Sequence, residues 1–301
     1  MAKSKENSII KKFKKFDLGA IICFTLITLY CLIVIYMFYF AVITSLKDKY
    51  DFALDHNVFG FPNSAKYPVD GENFLYALEN MKVQIKGRIY APVQAMFIYG
   101  LIYSLGSTLA NIFSKTLCAY FCAKYRTPLG KILYVIAVVT MILPTVGTMA
   151  ATIQLMRSLG HYDQLFGVVF YNASYTGTYF LVFYAAFKQI PNAYSEAAKL
   201  DGAGHFTILF RIHIPMVAPS MFAVGIMQFI AFWNDYQVPM IYLPSLPTIS
   251  YALFRYSRSS WADNAPALLA ASLIVCVPVI IFFIIFKNKI MGNVTAGGLK
   301  G

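Results

Sequence analysis

Long runs of apolar residues constrain this chain more than any other feature of its sequence. An α-helix needs about 20 apolar residues to cross a bilayer. The predicted spans are residues 18–46, 96–122, 132–153, 165–187, 216–233 and 267–286. Of the 301 residues 59% are apolar and 13% charged, whereas a soluble domain has about 25% charged residues. The sequence therefore predicts an all-α integral membrane protein with six transmembrane helices.

The polar segments between the spans predict the orientation in the membrane. Lys and Arg are enriched in cytoplasmic segments. The basic segments of this chain are the tail 1–17, the turn 124–131, the loop 188–215 and the tail 287–301. These segments are predicted to be cytoplasmic, so both termini lie inside (N-in/C-in). The run 18–46 is too long for the core of a signal peptide and is interpreted as a retained first span.

The segment 47–95 separates the first span from a core at 96–286 and is predicted to be extracytoplasmic. It also carries basic residues, but a loop of this length contributes weakly to orientation. A short helix is expected around Asn73–Met81. The segment is interpreted either as a contact site for an external partner or as a solvated connection.

Several function classes are excluded by what the sequence lacks. The net charge of +12 is explained by the cytoplasmic segments rather than by nucleic-acid binding. The five Cys lie in or beside apolar runs and predict no disulfide framework. No phosphate-binding loop, metal-ligand spacing or nucleophile motif is present, so no catalytic residue and no metal ligand are predicted.

Polar residues recur along one face of the second span at helical spacing. They are Ser104, Ser107, Thr108, Asn111 and Ser114. Such a stripe packs against another helix or lines a water path. Lys115 is expected to snorkel to the cytoplasmic end.

The span centres carry no acidic or basic residue of the kind that ion-coupled transporters use. A transporter built this way must receive its energy from elsewhere, and the loop 188–215 is the candidate receiver. Pro191 favours the start of a helix there, and Asp201-Gly202 favours its end. A second short helix is expected to end at Pro215. The loop is interpreted as a docking site for a soluble partner or as a capped interfacial loop.

One motif in this loop resembles a known family. It consists of Glu196, Ala197 and Ala198, then Gly202, and then Ile212, Ile214 and Pro215 at fixed spacing. The spacing resembles the E-A-A loop of permease subunits in binding-protein-dependent ABC importers, with Ile214 in place of Leu. The segments Phe232–Asp235 and Thr295–Gly301 resemble the sugar-importer branch, specifically its maltose-type G-like subunit. Tyr103 stands where many relatives have Asn, and the loop 47–95 matches little.

The resemblance implies a type I ABC importer permease-like fold in the bacterial plasma membrane. It implies four kinds of partner: a second homologous permease subunit, a cytoplasmic ABC ATPase dimer, an extracellular solute-binding protein and membrane lipid. ATP and Mg²⁺ would be bound by the ATPase, with no cofactor in this chain. The implied ATPase-coupling residues are Glu196, Ala197, Ala198, Asp201, Gly202, Ala203, Ile212 and Pro215. The implied cargo is a sugar or oligosaccharide.

Sugars favour aromatic faces together with amide or hydroxyl groups, which suggests a set of residues for the solute path. The candidates are Tyr171, Asn172, Tyr175, Gln228, Trp233 and Asn234. Helix packing and an interfacial aromatic belt explain the same residues equally well. Importers of other solutes, and a six-span membrane protein with no transport role, remain as alternative functions.

Overall fold

The computed structural model describes residues 18–53, 58–62, 66–69, 71–86, 89–125, 127–143, 147–259 and 263–297. The first helices and strands are α1 Leu18–Ser45, α2 Lys49–Ala53, α3 Glu72–Asn80, β1 Gln84–Lys86 and β2 Ile89–Tyr90. The next helices are α4 Val93–Lys124, α5 Pro128–Ile142, α6 Met149–Ser158, α7 Leu165–Tyr171 and α8 Thr178–Gln189. The last are α9 Ala193–Leu200, α10 His205–Ile208, a π-helical turn Leu209–His213, α11 Ile214–Asn234, α12 Gln237–Tyr242, α13 Ile249–Ser257 and α14 Ala265–Gly297.

Four helical stretches in the described part of the chain are long and apolar enough to cross a membrane. They are Gly19–Ser45, Val93–Lys124, His205–Asn234 and Ala265–Phe286. They correspond to the first, second, fifth and sixth predicted spans. The predicted tail 1–17 and residues 298–301 lie outside the described residues, whereas the backbone of 287–297 continues α14 as a helix.

The third predicted span is not one continuous helix. The prediction was 132–153, but α5 ends at Ile142 and α6 begins at Met149. Pro144, which lies outside the described residues, has no N–H for a helical hydrogen bond. Gly147 has a φ of +85°, a left-handed value that an α-helix does not contain. Proline and glycine at this spacing explain why the helix stops.

The fourth predicted span, 165–187, is also interrupted. Helix α7 ends at Tyr171 and α8 begins at Thr178. Gly177 has φ 107° and ψ 173°, a conformation that residues with a Cβ rarely adopt. The sequence did not predict this break, because the region is largely apolar and only one glycine and a few small polar residues mark the break.

The expectation that Pro215 ends a short helix is wrong. Helix α10 runs through the π-helical turn directly into α11, so Pro215 lies in the first turn of that helix. The N–H of Ile214 donates to the carbonyl of Leu209, five residues earlier. A proline ring collides with the carbonyl four residues before it in a regular helix. The wider π-helical turn before Pro215 changes that spacing, which explains how the helix continues.

The chain divides into two compact units. One comprises Met1–Ala77 and Ala262–Leu273, and the other Leu78–Trp261 and Ile274–Gly301. In the first unit, α1 is apolar on all sides and its hydrophobic window has no buried residue, as expected of a helix that faces lipid or another subunit. The amide of Asn73 donates to the carbonyls of Ser45 and Lys47, which fixes α3 to the end of α1. Helix α3 confirms the short helix expected near Asn73.

The second unit is built around α4, which packs against α7, α8 and α11. One of its apolar clusters includes Tyr120 of α4 with Phe180, Phe183 and Phe187 of α8. The three phenylalanines are completely buried. They recur at i, i+3 and i+7, so one face of α8 is buried against its neighbours.

Candidate functional site

The segment that carries the E-A-A motif folds as a short helix followed by a tight turn. Helix α9 holds Glu196, Ala197 and Ala198. Two hydrogen bonds close its end: the Gly202 N–H donates to the Lys199 carbonyl at 3.0 Å, and the Ala203 N–H donates to the Ala198 carbonyl at 2.9 Å. Together they form a Schellman motif. Gly202 has a φ of +78°, which confirms the left-handed helix end expected from the sequence.

The outer surface of α9 and its turn is exposed and partly apolar. Glu196 and Ala197 are exposed, whereas Ala198 faces inward. Leu200 is 89% exposed and Phe206 is 79% exposed. Large apolar side chains that remain this exposed, beside a small residue and a carboxylate, are typical of a surface that binds another protein.

The inner side of α9 is tied to the bundle by polar contacts. The hydroxyl of Ser195 lies 2.7 Å from Nε2 of His213, which is completely buried in the π-helical turn. The His213 ring packs on Tyr120, with ring centroids 5.2 Å apart. The ammonium group of Lys124, at the end of α4, donates to the carbonyl of Ile190 just before α9. Polar contacts thus link α9 and the segment before it to α4 and to the π-helical turn that leads into α11.

Of the other residues implied in coupling, Asp201 is exposed and Ala203 is half-buried. Ile212 is half-buried in the π-helical turn, and Pro215 is exposed at the start of α11. Since α11 continues this turn, the far end of the motif belongs to a membrane-spanning helix rather than to a separate loop.

Four of the five residues of the polar stripe on α4 are buried, and two of them, Ser107 and Asn111, form hydrogen bonds with other segments of the chain. The amide of Asn111 donates to the carbonyl of Asn172 at 2.8 Å and accepts from the Gln228 amide at 2.7 Å. The amide of Asn172 donates in turn to the hydroxyl of Ser107 at 3.0 Å. These bonds join α4, α11 and the break between α7 and α8, so the stripe functions in helix packing.

A second part of this network reaches the end of α11. The hydroxyl of Tyr103 donates to the carboxylate of Asp235 at 2.6 Å. The other oxygen of Asp235 accepts the N–H groups of Gln237 and Val238 at the start of α12. Tyr103 and Asp235 were not among the predicted site residues. Their sequence separation gave no sign that they would be in contact.

Lys115 does not snorkel as expected. Its side chain is 4% exposed and donates to the carbonyl of Ser174 at 2.8 Å, within the break between α7 and α8. The expectation about charged residues concerned the span centres, and Lys115 lies off the centre of α4, but its amine is buried within the helix bundle. The amine finds a backbone acceptor because residues 172–177 are not helical and leave carbonyl groups free.

The candidates for the solute path lie in different environments. Asn172 and Gln228 are both bonded to Asn111, as described above. Trp233 is 2% exposed, and its indole N–H donates to the carbonyl of Val275, so it belongs to the packed core. The remaining candidates are Tyr171, which packs on Tyr242, Tyr175, which packs on Phe180, and Asn234, which is exposed.

The Asn111 contacts predict a measurable stability difference between two variants of the same helix face. Asn111→Leu preserves the volume but leaves the Asn172 carbonyl and the Gln228 amide without this partner. We expect the free energy of unfolding in detergent to fall by about 1–2 kcal/mol. The control is Thr108→Val, because the buried Thr108 hydroxyl has no hydrogen-bond partner among the described residues. That variant should be as stable as the wild type, and equal losses in the two variants would contradict the assigned network.

Comparison with known proteins places these features in a family. Residues 115–289 match the family described as binding-protein-dependent transport system inner membrane component. Over 268 residues the chain is 26% identical to the melibiose/raffinose/stachyose import permease protein MelC of Bacillus subtilis, covering 88% of this chain and 91% of that relative. Over 207 residues it is 28% identical to the arabinooligosaccharides transport system permease protein AraQ of the same organism, covering 68% and 73%.

A solved structure shares the fold. A chain in the crystal structure of a bacterial ABC transporter involved in the import of the acidic polysaccharide alginate superposes with a TM-score of 0.71 at 19% identity. The superposition covers 90% of this chain and 96% of that chain. Because the family match spans more than half of the sequence, the chain belongs to the binding-protein-dependent transport system inner membrane components, the permease subunits of ABC importers.

Proposed function

We propose that this chain and a second permease subunit form the path by which an ATP-driven importer moves a sugar or oligosaccharide across the plasma membrane. As a permease of this family, the chain works with an ATPase, a second permease and a solute-binding protein. The sugar assignment is supported by relatives named for melibiose, raffinose and stachyose import and for arabinooligosaccharide transport. The proposal keeps six crossings with both termini in the cytoplasm. The pairs α5–α6 and α7–α8 each form one interrupted crossing.

The same proposal assigns energy coupling to α9. An ATPase of the partner complex would dock on the exposed face that contains Glu196 and Ala197, and it would bind the ATP and Mg²⁺. The turn at Gly202 and the segment up to Pro215 would transmit its movement to α11. The observation that carries this assignment is that α9 is exposed on one side, while Ser195 contacts the π-helical turn before α11 and the segment just before α9 is bonded to Lys124 of α4. Alternating access requires an element that can be moved between two states in this way.

The direct test is uptake by cells that lack this chain. Deletion should abolish uptake of one labelled sugar or oligosaccharide and leave the uptake of amino acids and peptides intact. Expression of the chain from a plasmid should restore it. Loss of amino-acid or peptide uptake with normal sugar uptake would favour the alternative cargo class.

A further inference from the structure

A polar cavity lies beside the segment that leads into α9. Its volume is about 740 Å³, and it is lined by the end of α4, the start of α5, the end of α8 and Asn192. Three lysines and three tyrosines dominate its lining: Lys124, Lys131, Lys188, Tyr125, Tyr134 and Tyr184. None of the described residues that line it is acidic.

The positive charge of this cavity is not neutralised by the described part of the chain. The ammonium group of Lys124 is bonded to the carbonyl of Ile190, which carries no net charge. Lys188 lies 3.3 Å from the hydroxyl of Tyr184, which is also neutral, and Lys131 is exposed at the first turn of α5. Like charges gathered without counter-charges favour binding of an anion. The lysine and tyrosine side chains supply hydrogen-bond donors suited to phosphate oxygens.

One wall of the cavity continues into an apolar surface. Val135 lines the cavity and is exposed, and the adjacent outward residues of α5 are also apolar. These exposed side chains are Leu129, Ile132, Ile136 and Val139. A cationic pocket at the start of a helix with an apolar outer face suits a molecule that has an anionic headgroup and hydrocarbon tails. The tyrosines that line the cavity fit this assignment, because tyrosine is enriched at the membrane–water interface.

From these observations we propose that the cavity binds the phosphate headgroup of an anionic membrane lipid, whose acyl chains lie along α5. Basic pockets between transmembrane helices at the cytoplasmic surface bind anionic headgroups in this way. The site adjoins α9, because Lys124 contacts both Ile190 and the side chain of Asn192. A bound headgroup would thus join the ends of α4, α5 and α8 beside the segment that precedes α9. The proposal concerns a lipid site and does not depend on the identity of the cargo.

The test measures lipid binding to the complete importer, purified with its partner subunits in neutral detergent. The probe is fluorescent phosphatidylglycerol, with phosphatidylcholine as the uncharged comparison. We expect Lys131→Gln/Lys188→Gln to bind phosphatidylglycerol roughly 30-fold more weakly than the wild type, at about tenfold or less per lost lysine. Binding of phosphatidylcholine should be equal in the two proteins. Both lysines are exposed, so the double variant should keep its thermal unfolding midpoint.

The matched control is Lys49→Gln/Lys82→Gln, which removes the same charge from exposed positions elsewhere. This control should retain wild-type affinity, and an equal loss in both double variants would overturn the site in favour of a net-charge effect. Glycerol 3-phosphate distinguishes the source of the phosphate. If millimolar glycerol 3-phosphate displaces the lipid and binds alone with the same dependence on the two lysines, the lipid assignment is overturned in favour of a soluble phosphate ester. Failure of soluble phosphate to compete supports the lipid.

Discussion

Replacing Gly202 by valine should lower solute uptake more than tenfold while leaving the chain inserted in the membrane. Gly202 has a φ of +78°, a conformation that costs an L-residue about 1–2 kcal/mol and a β-branched residue more. A Cβ at this position would meet no atom of the described residues within 4 Å, so the substitution acts on the backbone and not on packing. The substitution should open the turn that closes α9 and misplace the surface proposed to dock the ATPase. Uptake of labelled solute, normalised to the amount of chain in the membrane, measures this effect.

Two further variants separate backbone conformation from steric hindrance. Gly204 is exposed in the same turn with a φ of −71°, which any residue adopts, and its Cβ would also meet nothing. Gly204→Val should therefore transport normally. Gly202→Asn should retain much of the activity, because asparagine tolerates the left-handed conformation. If Gly202→Asn fails as completely as Gly202→Val, a clash with the docked partner is the cause and the conformational explanation is wrong.

This turn was predictable from the sequence because its determinants are local. Asp201-Gly202 after a short helical pattern indicates a left-handed helix end by itself. The second span and the helical face that carries its polar stripe were predictable for the same reason. Apolar length and helical spacing are both properties of a single segment of sequence. The E-A-A spacing added the functional interpretation, because it fixes several residue types over a short distance.

Other features depend on contacts that are distant in sequence. The interruption before α8 requires one glycine at φ 107°, and the apolar pattern around Gly177 resembles that of a continuous helix. The buried amine of Lys115 donates to the Ser174 carbonyl, which is free because the helix is interrupted there. Since the apolar pattern did not predict the interruption, it could not predict the environment of Lys115. The passage of a helix through Pro215 depends on a π-helical turn, for which the sequence has no comparable signal.

The bond between Tyr103 and Asp235 shows the same limit for the candidate site. In the sequence, Tyr103 was noted for standing where many relatives have Asn and Asp235 as the last residue of the segment Phe232–Asp235, but nothing linked the two. Packing of α4 on α11 brings their polar atoms to 2.6 Å. Trp233, which was chosen for its sugar-binding chemistry, lies in the packed core, whereas Asn234 beside it is exposed.

Among the described glycines, Gly167 is the position where a single methyl group should have the largest effect on stability. A Cβ there would lie 2.1 Å from the carbonyl oxygen of His161 and 2.7 Å from its Cα, so the backbone itself must move. The turn around His161 cannot easily retreat. The His161 N–H donates to the carbonyl of Met156, and the Asp163 N–H donates to that of Tyr242. The Asp163 carboxylate also accepts the N–H of Ser245, so the turn is anchored on both sides.

We therefore expect Gly167→Ala to lower the free energy of unfolding in detergent by about 3 kcal/mol, the upper end of the usual cost of overpacking. The matched control is Gly100→Ala, also in a helix, where the added Cβ would meet Trp233 and Ile249 at ordinary distances of 3.5 and 3.6 Å. That variant should be neutral or more stable, since alanine favours helix by about 1 kcal/mol over glycine. Uptake should also fall in Gly167→Ala, because displacing α7 moves Asn172 away from Ser107 and Asn111. If the two alanine variants unfold at the same denaturant concentration, α7 does not pack against the His161 turn as described.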